Sequence, residues 1–224
     1  MTRPLEAVVL DIDDTVYLER DYVRSGFAAA GDWAREQLGV SGLGERAWSA
    51  FVAGRRGDIL DEALVGCGVV VDPEVVDALV SVYRTHEPSI ALLPDARTCL
   101  GDLAARVPIA VITDGPLASQ QAKARVLCLG HWADPMLFTD GLGPGWGKPD
   151  TRSFAMVQER LGVDPGACAY VADNPVKDFA GPKGLGWTTV RVRRPQGLHQ
   201  RVPSGDDVDH DVPDLTTLAG LVRP

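Results

Sequence analysis

The chain has 224 residues, 45% apolar and 24% charged, enough to bury a substantial core without disulfide or metal staples. Its 22 basic against 31 acidic residues give a net charge of −9, which argues against nucleic acid or an anionic membrane surface as a partner. No apolar run approaches the ~20 residues that a membrane-spanning helix needs.

The elements follow in chain order. Ala7–Leu10 is an apolar run that stops abruptly at charge, the pattern of a strand buried on both faces. It starts so near the first residue that no secretory leader is expected, and the setting reads as cytoplasmic. The four cysteines form no paired motif and read as small apolar core residues. Residues 21–38, 44–53, 57–66 and 73–86 carry helical patterns, broken at Gly39–Gly44, Gly54–Gly57 and Cys67–Pro73. From Leu18 to Leu93 no strand pattern interrupts them. Strand and helix then alternate: helix 95–106, strand Pro108–Ile112, helix 116–129, strand Met136–Thr139, helix 151–161, strand Cys168–Val171, helix 175–185 and strand Trp187–Val192. Residues 193–207 read as a polar loop and Asp209–Val212 as a last short strand. This alternation predicts an α/β fold with a doubly wound parallel sheet built from residues 1–16 and 94–224, and a small all-α domain over 17–93.

Chemistry-bearing residues gather at the strand ends. Asp11-Ile12-Asp13-Asp14-Thr15 places three carboxylates after the first strand, where a parallel sheet binds ligands. Like charges crowded there call for a cation, Mg²⁺ above all, although aspartates in a turn also cap helices. Ile112-Thr113-Asp114-Gly115-Pro116 closes another strand and opens a helix, offering a hydroxyl and free N–H groups to a phosphate, or an ordinary turn with Asp114 as cap. Gly147-Lys148-Pro149 fails the P-loop pattern, because Leu142 stands where glycine is required and Pro149 where serine or threonine is. Its lysine is one of four, with Lys123, Lys177 and Lys183, and suits a fixed point charge or a solvated loop. Val171-Ala172-Asp173-Asn174-Pro175-Val176-Lys177-Asp178 again ends a strand in acid, with Asp178 one turn further on.

Taken together, these motifs resemble in order and spacing the haloacid dehalogenase-like (HAD) hydrolase superfamily, over about residues 5–192. The insert after the first strand resembles the helical cap of its phosphatase branch. The resemblance implies a Rossmann-like core and a Mg²⁺-dependent reaction in which Asp11 attacks phosphorus and forms an aspartyl-phosphate. It implies Asp13 as the acid and base, Thr113 with the N–H groups of Asp114 and Gly115 as the phosphate cradle, and Lys148 as the charge beside Asp11 and the phosphoryl group. The metal would be held by Asp11, Asp173 and the backbone carbonyl of Asp13, with Asp178 positioning Lys148 or a metal-bound water and Asn174 supporting the site from behind. Ala172 departs from the family pattern, which usually has glycine there. The side chain of Asp114 is expected to turn away as a helix cap, since it would repel phosphate.

Family variants are weighed on the same residues. Asp13 argues against dehalogenation, which does without it. The absence of lysine from residues 16–94 argues against phosphonate hydrolysis, and Asp14 stands where the mutases usually carry glycine. The expected partner is a small phosphorylated metabolite: a nucleoside monophosphate, a sugar phosphate or a biosynthetic intermediate. Candidate substrate contacts are Arg55, Arg84 and His86, with Arg24 and Arg56, and Tyr17 as a wall of the cleft. Trp33, Trp48, Phe27 and Phe51 read as core of the helical insert. A phosphotransferase or mutase is the second reading and a catalytically silent binding protein the third. The oligomeric state is left open.

Overall fold

A computed structural model describes residues 4–222. Three apolar runs form its centre: β1 (Ala7–Leu10), β2 (Ile109–Thr113) and β4 (Cys168–Ala172), each buried at every position. Unbroken Val, Ile and Ala, with no polar alternation, suit strands covered on both faces. With β3 (Ala133–Phe138), β5 (Thr188–Val192) and β6 (His210–Val212) they make a parallel sheet of order β3-β2-β1-β4-β5-β6. The chain winds outward from β1 through β2 and β3 on one side, then restarts at β4 on the other. A crevice therefore opens beyond the carboxyl ends of β1 and β4. Register brings those ends level: Leu10 lies opposite Val111 on β2 and opposite Val171 on β4.

Helices cover the sheet. The four beside it are α5 (Pro94–Ala104), α6 (Leu117–Val126), α7 (Thr151–Leu161) and the short α8 (Ala180–Gly184). Asp150 caps α7 by accepting the N–H of Arg152 at 2.8 Å, and Gly162 ends it at φ 67. Phe154 and Val157 of α7 pack on Val9, Ala110 and Tyr170 of the sheet and on Trp187, whose indole N–H donates to Gln158.

The expected elements differ in detail. The third strand starts at Ala133 rather than Met136, because Pro135 is tolerated on an edge strand, which is where β3 lies. Residues 175–179 are not helical: Asn174 Oδ1 accepts the N–H of Val176 and Asp178 Oδ2 that of Asn174, so side chains close a tight turn together with the backbone bond from Asp178 N–H to Asn174 O at 3.1 Å. α6 stops at Val126, before Cys128 at φ 53. Of the four cysteines only Cys99 and Cys168 are buried, while Cys128 is exposed.

Residues Arg20–Ile90 form a second compact unit. It holds α1 (Glu19–Leu38), α2 (Leu43–Val52), α3 (Ile59–Gly66) and α4 (Pro73–Thr85), with no strand among the described residues of 18–93. Its edges lie three residues inside the expected 17 and 93 because Leu93 N–H donates to Val16 O, tying both flanks to the sheet-bearing unit. Phe27 and Phe51 are buried and pack ring on ring, as expected of core aromatics, whereas Trp48, stacked on Phe51, and Trp33 are only half-buried. Gly44 lets α2 approach α1, since a Cβ there would lie 2.6 Å from Phe27 O.

Candidate active site

Asp11 follows β1 directly, and its N–H donates to Val171 O at 2.9 Å, so the ladder with β4 fixes its backbone. Lys148 Nζ lies 3.1 Å from Asp11 Oδ1 and 2.8 Å from Asp178 Oδ1, with its side chain fully enclosed. The same ammonium donates to Tyr170 Oη at 3.0 Å, and that hydroxyl donates to Ile112 O. Burial opposes the charge on Lys148, but Asp11 and Asp178 hold its pKa well above the usual value.

The acids outnumber this lysine. Asp11, Asp173 and Asp178 each bring an oxygen within 4.8 Å of the others. Burial, reinforced by Asp14, Asp178 and Asp11, pushes Asp173 up to about 9. Asp11 rises to about 6, again chiefly by burial, with Lys148 opposing and Asp178 adding. Glu19 rises to about 8 through burial and the nearby Asp13. Asp11 Oδ1 and Asp178 Oδ1 are buried and receive no well-formed hydrogen bond, although both lie near Lys148. A buried, all-oxygen donor set with surplus negative charge fits a hard divalent cation such as Mg²⁺. Asp178 meets Lys148, one of its two expected tasks, and also brings an oxygen into the acid cluster, whereas the Asp13 carboxylate is not part of it.

Asp13 is held separately. Both of its carboxylate oxygens contact Lys123 Nζ, at 2.7 and 2.8 Å, and Gln120 Nε2 donates to Oδ2 at 2.8 Å. The Tyr17 hydroxyl donates to Oδ1. Burial raises the acid, but Lys123, Tyr17 and Gln120 outweigh it and keep the group below the usual carboxylate range. Burial thus favours the neutral form at Asp11 and Asp173, whereas the donors around Asp13 favour its carboxylate. Tyr17 is not an open wall: it is fully buried and supports Asp13.

The stretch after β2 is engaged from within. Thr113 Oγ1 donates to Gln120 Oε1 at 3.1 Å, and Gly115, at φ 119, passes close beneath Gln120. Asp114 does not cap α6. Asp140 takes that place by accepting Leu117 N–H at 2.9 Å. Asp114 instead accepts from Thr139 Oγ1 and from the N–H of Lys148, and pairs with Lys177 at 3.0 Å. Burial raises Asp114, yet Lys148 and Lys177 outweigh it and keep the group below its usual value. Asn174 shapes the turn after β4.

Arg55, Arg84 and His86 belong to the helical unit. Arg55 is exposed and paired with Glu62. Arg84 is exposed in the last turn of α4. The His86 ring is held between Ser25 Oγ at 2.8 Å and Tyr83 O at 2.7 Å, against the ring of Tyr22.

Several supporting residues escaped the sequence reading. Gln120 and Lys123 sit three apart on one face of α6, and a scarce lysine paired with an amide at that spacing was the available signal. Arg191 is fully buried; it donates to Asp173 O at 3.0 Å and to Val202 O and His199 O, so the 193–207 loop is anchored to a site residue. Arg194 donates to Thr15 O, and Leu198 N–H to Asp14 Oδ2 at 2.6 Å, which ties the same loop to the turn after β1. An arginine at the end of a strand gives no sign of its target.

The sheet order and the acid–lysine cluster define a class: doubly wound α/β enzymes with an aspartate-centred site at the switch point. The model of the haloacid dehalogenase-like hydrolases matches residues 5–186, and the chain belongs to that family. A glyceraldehyde 3-phosphate phosphatase of Methanopyrus kandleri is 29% identical, over 94% of this chain and 92% of its own. A phosphoserine phosphatase of Thermus thermophilus is 31% identical, over 76% and 65%. Among solved structures, a 2-haloacid dehalogenase of Pseudomonas syringae pv. tomato superposes with a TM-score of 0.67 at 26% identity, covering 97% of each chain. Among the described residues, no helix is long and apolar enough to cross a membrane.

Proposed function

We propose that this hydrolase cleaves phosphate monoesters of a small metabolite with the help of Mg²⁺. The observation that carries the reading is the pairing of two features: a carboxylate on Asp13, two residues after Asp11, and a three-acid cluster around Asp11. A halide leaves carbon without a proton and its substrate brings no phosphoryl charge, so dehalogenation needs neither feature. An alkoxide leaving phosphorus needs both. The relatives named as phosphatases support the same choice.

Asp11 is the nucleophile: its carboxylate oxygen bonds to phosphorus as the ester P–O bond breaks, giving an aspartyl-phosphate. Asp13 hands a proton to the departing oxygen, then takes one from the water that hydrolyses the intermediate. The Asp11, Asp173 and Asp178 carboxylates, with the Asp13 carbonyl, would hold Mg²⁺, which when bound offsets the repulsion between nucleophile and phosphate. Lys148 holds the Asp11 carboxylate and balances charge on the phosphoryl oxygens. Thr113 and the N–H groups of Asp114 and Gly115 bind those oxygens.

The test is phosphate release from a panel of phosphorylated metabolites, with Mg²⁺ or chelator, alongside halide release from 2-haloacids. Metal-dependent phosphate release that vanishes in Asp11→Asn is expected. Halide release without phosphate release overturns the reading. Transfer of phosphate to a second alcohol, in place of release, assigns the chain to the phosphotransferases.

A further inference from the structure

We infer that Lys123, backed by Gln120, is the positioning residue that holds Asp13 for the second half of the reaction, the hydrolysis of the phosphoenzyme; this rests on the phosphatase reading above. Three observations carry it. Lys123 comes from α6, outside every motif that marks the site, yet its side chain is 4% exposed and its ammonium contacts both oxygens of Asp13. Gln120, one helical turn earlier, donates to the same carboxylate at 2.8 Å and accepts from Thr113 at 3.1 Å, so one amide links Asp13 to the residue expected to bind phosphate. Tyr17 supplies a further donor. Donors on three sides fix the orientation of this carboxylate, and a buried ammonium is a costly way to do so unless the orientation matters.

The geometry suits a base. In phosphoenzyme hydrolysis a water oxygen bonds to phosphorus, the bond from phosphorus to Asp11 breaks with its electron pair returning to the Asp11 carboxylate, and the water proton passes to Asp13. An ammonium bridging both oxygens leaves Asp13 as the acceptor that this step requires and fixes its orientation. When the leaving group is p-nitrophenolate, which departs without a proton, the first half-reaction does not call on Asp13. Loss of Lys123 therefore slows the second half alone.

The experiment follows p-nitrophenyl phosphate turnover on a rapid time scale with Mg²⁺ present. In Lys123→Met, kcat and KM are expected to fall together by roughly 10- to 100-fold, while kcat/KM stays near that of the native protein. A nitrophenolate burst equivalent to the enzyme concentration should precede the slow phase, and acid quench should trap phosphoenzyme. Lys123→Arg should regain most of kcat. Gln120→Leu leaves the ion pair in place and should show the same split to a smaller degree; it carries the test if Lys123→Met does not fold. A variant whose kcat falls with KM unchanged, with no burst, has lost active molecules and overturns the inference, as does a kcat equal to the native value. If the native protein releases no phosphate from any ester, the phosphatase reading fails first and takes the inference with it.

Discussion

Gly181 lies against the carbonyl of Pro149 so closely that a Cβ on it would sit 2.5 Å from that oxygen and 2.9 Å from the ring of Phe154. The start of α8 is thereby packed directly under the residue that follows Lys148. A short helix that looks peripheral in the chain thus packs against the segment that carries the site's buried lysine.

Gly181→Ala should be costly for this reason. The added methyl meets backbone on one side and a buried ring on the other, so relief requires Pro149 to move. A loss of about 1–3 kcal/mol is expected, the usual range for overpacking. Turnover should fall with it, because Lys148 moves with Pro149. Gly184→Ala, in the same helix but with nothing near the new methyl, is the control and should be close to neutral. Urea denaturation and phosphate release on both variants check the pair; equal stability in the two would show that the close approach is not rigid.

Lys148→Met should destabilise by more. It leaves the Asp11 and Asp178 carboxylates buried without their shared partner. Removing one member of a buried ion pair costs about 3–5 kcal/mol. Because the surviving acids are those of the cation cluster, saturating Mg²⁺ should restore stability more in this variant than in the native protein. Activity should stay low in either case, at least about a hundredfold down, since no positive side chain balances the phosphoryl charge. Melting with and without MgCl₂ reads the first effect, and an equal Mg²⁺ response in both proteins contradicts it.

What the chain discloses in advance is uneven, and the reason is physical. β1, β2 and β4 are legible because a strand buried on both faces must be continuously apolar, so Asp11, Thr113 and Asp173 stand out where the run ends. Lys148 is legible from its glycine and proline neighbours. Lys123, Arg191 and Arg194 are not, because what makes them part of the site is the residue they reach across the fold: Asp13, the carbonyl of Asp173 and the carbonyl of Thr15. The turn over 175–179, where a helix is expected, has a similar origin. Asn174 and Asp178 spend their side chains on a turn, a choice decided by how β4 meets the cluster rather than by helix propensity.

The raised acids give a pH dependence with a definite sign. Asp173 at about 9, Glu19 at about 8, and Asp11 and Asp14 at about 6 all lie above their unfolded values, so the cation-free fold takes up protons that the unfolded chain releases. Their contribution is most favourable below the unfolded carboxylate range, near pH 4, and is lost as pH rises to about 9. Mg²⁺ bound among these acids would replace those protons. Its affinity should therefore increase across this window, and the gain in Tm from MgCl₂ should be larger at about pH 9 than at about pH 6. Each tenfold tightening adds about 1.4 kcal/mol at saturating metal. A Tm gain that does not change with pH would sink the assignment of the metal to these acids.

Arg194 offers the sharpest separation between fold and site. Its guanidinium donates to Thr15 O at 2.6 and 3.1 Å and to Asp95 Oδ2 at 2.5 Å, and the latter oxygen also accepts Leu215 N–H. One planar cation therefore joins the turn that carries Asp11 and Asp13, the start of α5 and the segment after β6. Lysine keeps the charge but not the fork, so Arg194→Lys can satisfy only one of the two acceptors in full. A loss of about 1.5–3 kcal/mol is expected, the range for hydrogen bonds to a charged group. The turn should loosen at Thr15, the end remote from the Asp11–Val171 ladder bond. Asp13 would then lose alignment before Asp11 does, and Mg²⁺ affinity should hold while turnover falls. Calorimetric titration of MgCl₂ beside phosphate release checks this; a parallel fall in both would mean that the turn moves as one body and that Arg194 supports Asp11 as much as Asp13.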